Sequence, residues 1–278
     1  MTGSSQGVCA GVAEAIITPA ISGPLMFRPS TGVHDDLYAR ALVIDKDNQR
    51  IVIVCMDLVG LDFAFASELR EQIKQRVGAS MVLLNFSHTH SAPFTIPYTV
   101  SNSDWFRNGE GCMWRDTIRS RVLDIVSQAS TRMVDVVLRT GRAPLNIAVN
   151  RRTELPGNAI ASAETSDIVP WVDVLRVDRV GGSPLAVLFN YAAHPLAVHR
   201  ASDLLSADFP GAAVRNIRGY FGEDTVAMFA QGCAGDINCE TVSRGFEAAE
   251  TTGQLLSLIH ISEPTRLRRI SYAVFCLK

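Results

Sequence analysis

The sequence predicts an α/β fold whose mixed, mostly parallel sheet is covered by helices. Two observations carry that expectation. A strand–helix–strand pattern between residues 50 and 86 has the spacing of a right-handed crossover joining a parallel pair. The runs MVLLNF (81–86), LAVLF (185–189) and TVAMFA (225–230) are continuously apolar, as in strands buried on both faces.

Taken in order, residues 38–46 (YARALVIDK) and 50–58 (RIVIVCMDL) read as strands joined by the turn DKDNQ, a hairpin. Over 64–77, Phe65, Leu69, Ile73 and Val77 recur at helical spacing, and Gly78 is placed to end the helix. MVLLNF follows as a buried strand. A second helix is predicted over about 115–132, with Ile118, Val122, Ile125 and Ala129 on one face. Strands are expected near 134–140, 171–179 and 184–191. DFPG opens a helix reaching Tyr220, with Asp208 as its N-cap and Pro210 in its first turn. TVAMFA then runs into the loop QGCAGDIN (231–238). No internal repeat or low-complexity linker is visible.

Composition narrows the function. An apolar fraction of 47% suits a packed core, and a net charge of −2 argues against a nucleic-acid partner. No stretch reaches the ~18–20 apolar residues needed to span a bilayer. The start, MTGSSQGVCAGVAEAI, lacks the charged and long apolar regions of a secretory signal. The six cysteines show no CxxC spacing, so a disulfide framework or cysteine zinc knot is not expected. Nothing in the sequence assigns an oligomeric state.

Residues 256–278 read differently. LSLIHISEPTR (256–266) and ISYAVFCLK (270–278) are what the two arms of a DNA sequencing adapter encode as codons. Leu267, Arg268 and Arg269 fill the index between them. The native part of this sequence is therefore expected to be residues 1–255, interrupted at about Leu255, and any order beyond Leu255 is expected to be non-native. On this reading His260 and Cys276 carry no chemistry. The segment holds four basic residues and one acid, so the remainder is more acidic than the whole.

The chemistry concentrates at strand ends, where α/β sheets gather their ligands. If the strand ending at Phe86 stays extended, His88 and His90 point to the same face. Two such imidazoles can share a metal, or one can ligate while the other handles a proton. They can equally be hydrogen-bonded loop histidines. His194, in NYAAHP (190–195), also follows a buried strand. Three strand-end histidines on one rim point to a metal or acid–base site. A catalytic zinc takes three protein ligands and keeps a position open. His199 reads as a loop residue near the rim and His34 as part of a turn. QGCAGDIN has neither the P-loop Lys-Ser/Thr nor GxGxxG, and its glycines fit a close backbone approach. Asp57, Asp236 and Asn190 are candidates to support the histidines from behind, or to serve as plain loop and cap residues. In NRR (150–152) a guanidinium either binds a substrate oxyanion or belongs to a solvated turn.

TGVHDDLYARALVI (31–44), CMDLVGL (55–61), NFSHTHSAP (85–93), VNRR (149–152), VLFNYAAHP (187–195), SADFPG (206–211) and FAQGCAGDIN (229–238), in this order, resemble the neutral/alkaline non-lysosomal ceramidase family. The resemblance covers nearly all of residues 8–240 and implies an incomplete catalytic domain, the N-terminal part of a zinc amidohydrolase. Its substrate would be N-acylsphingosine (ceramide) or a related N-acyl lipid. It also implies zinc ligation by His88 and His194, action of His90 beside the zinc, and substrate binding by Arg151. The family's remaining ligands, a Glu and a Tyr, lie further along its chain, so residues 1–255 alone are expected to be inactive. A lipid-like substrate leaves room for peripheral membrane contact, and the resemblance allows a secreted or periplasmic location. One position departs: Asn238 stands where well-studied members carry Ser. That disfavours a serine nucleophile and opens the way to another acyl amide or ester, or to a non-catalytic binding domain.

Overall fold

The computed structural model describes residues 7–20, 23–96, 105–152 and 167–258. The chain begins with β1 (Val8–Ile16) and the short β2 (Gly32–Val33). The predicted hairpin forms as β3 (Tyr38–Lys46) and β4 (Gln49–Met56). Its turn is tighter than DKDNQ, since Lys46 pairs with Gln49. Asp47 and Asn48 take φ of 49° and 63°, left-handed values that these short polar residues tolerate in a tight hairpin. Helix α1 (Phe63–Val77) is closed at both ends. The Asp62 carboxylate accepts the Phe65 N–H, and Gly78 adopts φ 66°. β5 (Met81–Phe86) then returns parallel to β4.

Helix α2 (Gly109–Thr131) starts well before the predicted residue 115. Its first turn abuts the 3₁₀ turn Trp105–Arg107, and Gly111 has no Cβ to strike the Trp105 carbonyl. The chain continues through β6 (Val134–Pro144), β7 (Ala148–Asn150), β8 (Trp171–Arg179), β9 (Pro184–Tyr191) and β10 (Leu204–Leu205). Helix α3 (Asp208–Phe221), β11 (Val226–Gln231), β12 (Ile237–Cys239) and helix α4 (Phe246–Ser257) complete it. Asp208 is not the N-cap of α3. It is the first helical residue, at φ 57°, and its carboxylate accepts the Val198 and Phe209 N–H groups. The helix start is buried against the loop after β9, and the carboxylate ties the two together.

Eight strands form one sheet in the order β11-β9-β8-β6-β1-β3-β4-β5. The sheet is mixed, but the expectation that it is mostly parallel is corrected. Only β4–β5 and β9–β11 are parallel, and the five pairings between them are antiparallel. A parallel neighbour needs a crossover, and here only α1 and α3 supply one between adjacent strands.

The apolar runs are buried on both faces as expected, but the other half of the sheet, not a second layer of helices, covers one of them. On β4, Val52, Val54 and Met56 pack with Leu69, Ile73, Ile118 and Val122 of α1 and α2. The alternate residues Ile53 and Cys55 share a core with Ala186 of β9 and Met228 of β11. Val187 and Phe189 of β9 face outward again, onto Phe209, Val214 and Ile217 of α3. The sheet is thus folded over on itself, giving four layers, α/β/β/α. Its halves follow the same path although no repeat is legible in the sequence. β1-β3-β4-β5 and β6-β8-β9-β11 each run antiparallel, antiparallel, parallel, with a helix before the last strand and another after it. The carboxyl ends of both parallel pairs therefore meet at one rim.

Residues 259–278 of the adapter-like segment lie outside the described residues. Leu256 and Ser257 complete α4, with Leu256 buried against the second half's core. No described helix is long and apolar enough to cross a membrane.

Candidate metal centre

His88, His90 and His194 converge at this rim, their ligand nitrogens all within 4.8 Å of one another. The strand does not stay extended as expected. His88 turns into the left-handed region, φ 66°, and its N–H donates to the Leu58 carbonyl. Such strain in a non-glycine residue persists only where the surroundings enforce it. His88 Nδ1 lies 2.6 Å from the Val59 carbonyl, and His194 Nδ1 lies 3.1 Å from the Ile237 carbonyl. A carbonyl only accepts, so each Nδ1 carries the proton and each Nε2 keeps its lone pair. Those two Nε2 atoms face each other at 3.2 Å.

That arrangement fits a metal. Two lone pairs at this distance repel, and a cation between them removes the conflict. Two nitrogens on one tetrahedral zinc stand roughly 3.3 Å apart, and Nδ1–H bonds to carbonyls are how ligating histidines are oriented. Electrostatics agree. Burial lowers the pKa of His88 and of His194, with the Arg151 charge adding to it. His90 is pushed down to about 3 by burial and then by the neighbouring histidines and Arg151. All three rings are neutral at pH 7, the form a metal requires.

His90 sits beside this pair, its ring centroid 5.1 Å from His88 and 5.7 Å from His194. Its Nε2 is buried without a hydrogen-bond partner among the described residues. The intervening Thr89 anchors the segment by donating to the Ser206 carbonyl. Arg151 reaches the same cleft. Its Nη2 donates to the Gly235 carbonyl, and it lines a cavity of about 320 Å³ with His88, His194, Gln231 and the Gly232–Gly235 loop.

The supporting residues are elsewhere. Asp57 accepts from the Tyr38 N–H and Arg40 Nη1, so it closes the β3–β4 end and touches no histidine. Burial pushes its carboxyl up, against the pull of Arg40. Asn190 Nδ2 donates to the Ala230 carbonyl and joins β9 to β11. Asp236 meets Asn150 at 3.5 Å, and its carbonyl accepts the Arg151 N–H. His88 and His194 are held by the carbonyls of Val59 and Ile237, which no side-chain pattern announces. His199 is closer to the site than a plain loop residue, its ring 5.4 Å from that of His90. Burial and the charges of Arg200 and Arg28 push it down to about 4. His34 stacks on Phe246 and bonds to Asp35. Gln231, with a buried Oε1 lacking a described partner, had no signal beyond its place beside the glycine loop.

The family described as neutral/alkaline non-lysosomal ceramidase, N-terminal, matches residues 26–255. Neutral ceramidase B of Dictyostelium discoideum is 25% identical over 232 residues, which cover 76% of this chain and 32% of that protein. The solved structure titled "Ceramidase complexed with C2" superposes with a TM-score of 0.77 at 22% identity, over 92% of this chain and 43% of that one. Neutral ceramidase from Pseudomonas aeruginosa gives a TM-score of 0.77 at 22% identity, over 93% and 45%. The chain thus spans about a third of its curated relative and under half of each solved chain. The structural likeness speaks for the fold, and the family match speaks for descent. The chain belongs to the neutral/alkaline non-lysosomal ceramidase family, matching its N-terminal part.

Proposed function

We propose that this chain carries the histidine half of a zinc-dependent amidohydrolase site of neutral ceramidase type. The substrate is the amide of N-acylsphingosine or a related N-acyl lipid. The observation that supports this most is the facing pair of Nε2 atoms on His88 and His194, each proton held on the far side of its ring. Zinc, when bound, supplies Lewis acidity and a water that ionises near neutral pH. His88 and His194 hold it. His90 stays neutral with its Nε2 open, placed to take the proton released by the activated water and hand it to the leaving amine. The Arg151 guanidinium stabilises charge developing on the carbonyl oxygen. Asn238 offers no nucleophile where the family's well-studied members carry Ser, which favours activated water and admits acyl amides or esters other than ceramide.

Zinc titration tests the reading. His88 and His194 give two ligands, one short of the three that a catalytic zinc takes, so binding is expected to be weak but measurable. His88→Ala and His194→Ala abolish it, while His90→Ala retains most of the affinity. A parent chain that takes up no zinc sinks the metal site. Hydrolysis by this chain at the rate of a complete enzyme would overturn the ligand assignment. A substrate panel separates long-chain N-acyl lipids from other acyl amides and esters. Zinc binding with turnover of none of them in a protein of the relatives' full length would favour a binding domain.

A further inference from the structure

β5 and β11 are the two ends of the strand order, so no backbone ladder joins them. Asn85, the only polar residue in MVLLNF, spans the gap. Its Oδ1 accepts the Gln231 N–H at 2.8 Å, and its Nδ2 donates to the Gln231 carbonyl at 3.3 Å, a link between residues 146 apart in sequence. Backbone chemistry settles the orientation of the carboxamide, since the N–H can only donate and the carbonyl can only accept. One side chain therefore makes the two bonds that a residue of a paired strand would make.

The clip lies on the route between the two ligands of the proposed centre. His88 follows Asn85 at the end of β5. Gln231 is in register with Tyr191 of β9, whose carbonyl also accepts the Gly232 N–H, and the chain runs from Tyr191 to His194. We propose that Asn85 is a positioning residue for the metal centre, clipping β5 to β11 and thereby setting the separation of His88 and His194. This rests on the metal reading of the site. Asn85 matches the shape of the task, because Asp lacks the donor, Leu lacks both groups, and Gln is one methylene too long.

Co²⁺ titration of the 278-residue chain, followed by its visible ligand-field absorption, tests the role. Asn85→Leu is expected to raise the Co²⁺ dissociation constant by about 10- to 100-fold and to alter the band shape. Asn85→Asp keeps the acceptor and loses the donor. It decides the matter through the spectrum if the Leu variant does not fold. Ile73→Val, in the core beneath α1, controls for lost stability and leaves binding and spectrum unchanged. A folded Asn85 variant with parental affinity and spectrum overturns the role of Asn85 alone. A parent that binds no Co²⁺ overturns the metal reading, and the inference falls with it.

Discussion

Asp208 shows how burial at a single residue becomes a pH dependence. Burial pushes its carboxyl up to about 6 even though it accepts backbone N–H groups from Val198 and Phe209. A raised folded-state value means that the fold favours the protonated form. Its contribution is full below about pH 4, the range of an unfolded aspartate, and is lost as pH rises through about 6. The difference amounts to roughly 2–3 kcal/mol. Asp208→Asn is neutral throughout, so the stability of the parent relative to the variant should fall by about that amount between pH 4 and pH 7. Urea melts across that range check it, and a constant difference would mean that the carboxyl titrates normally. At the site, the residue types were legible and their tautomers were not. His88, His90 and His194 stood out as strand-end histidines, whereas the carbonyls that fix the protons of His88 and His194 come from Val59 and Ile237 and leave no trace in side-chain chemistry.

Helices α3 and α4 approach each other through a glycine. A Cβ on Gly253 would stand 2.7 Å from the Phe209 carbonyl oxygen and 2.8 Å from the Ala213 nitrogen. Both are backbone atoms that cannot swing aside. Gly253→Ala should therefore destabilise by about 1–3 kcal/mol despite its better helix propensity, as thermal melts would show. A neutral or stabilising result would mean that the helices separate freely. Close approach of this kind has no local signature, since one glycine in a helix reads as a weak position. Caps are more legible. Asp62 and Gly78 bracket α1, and Asp62→Ala should cost about 0.5–2 kcal/mol, because the Phe65 N–H loses its acceptor.

At the scale of the whole molecule, the folded-over sheet makes one core out of two halves. Leu42 of β3 and Met228 of β11 both lie in the layer between them. Leu42→Ala and Met228→Ala should each lower the same unfolding transition by about 2–5 kcal/mol. Circular dichroism and tryptophan fluorescence should report that transition together. Two separated transitions would show that the halves fold apart. The same folding brings the ends of β5, β9 and β11 to one rim, so residues 88 and 194 become neighbours.

The amino-acid pattern carries the hairpin, both crossover helices, the buried strands and the residue types of the site, because periodicity, caps and strand ends are local properties. Strand direction and layer number are not. A continuous apolar run marks burial on both faces, but helices or a second half of the same sheet can cover the far face. Here Ile53 and Cys55 lie against β9 and β11. The same applies to the centre. The sequence supplies three histidines, and the folding of the sheet sets their separation, through contacts between segments far apart in the chain.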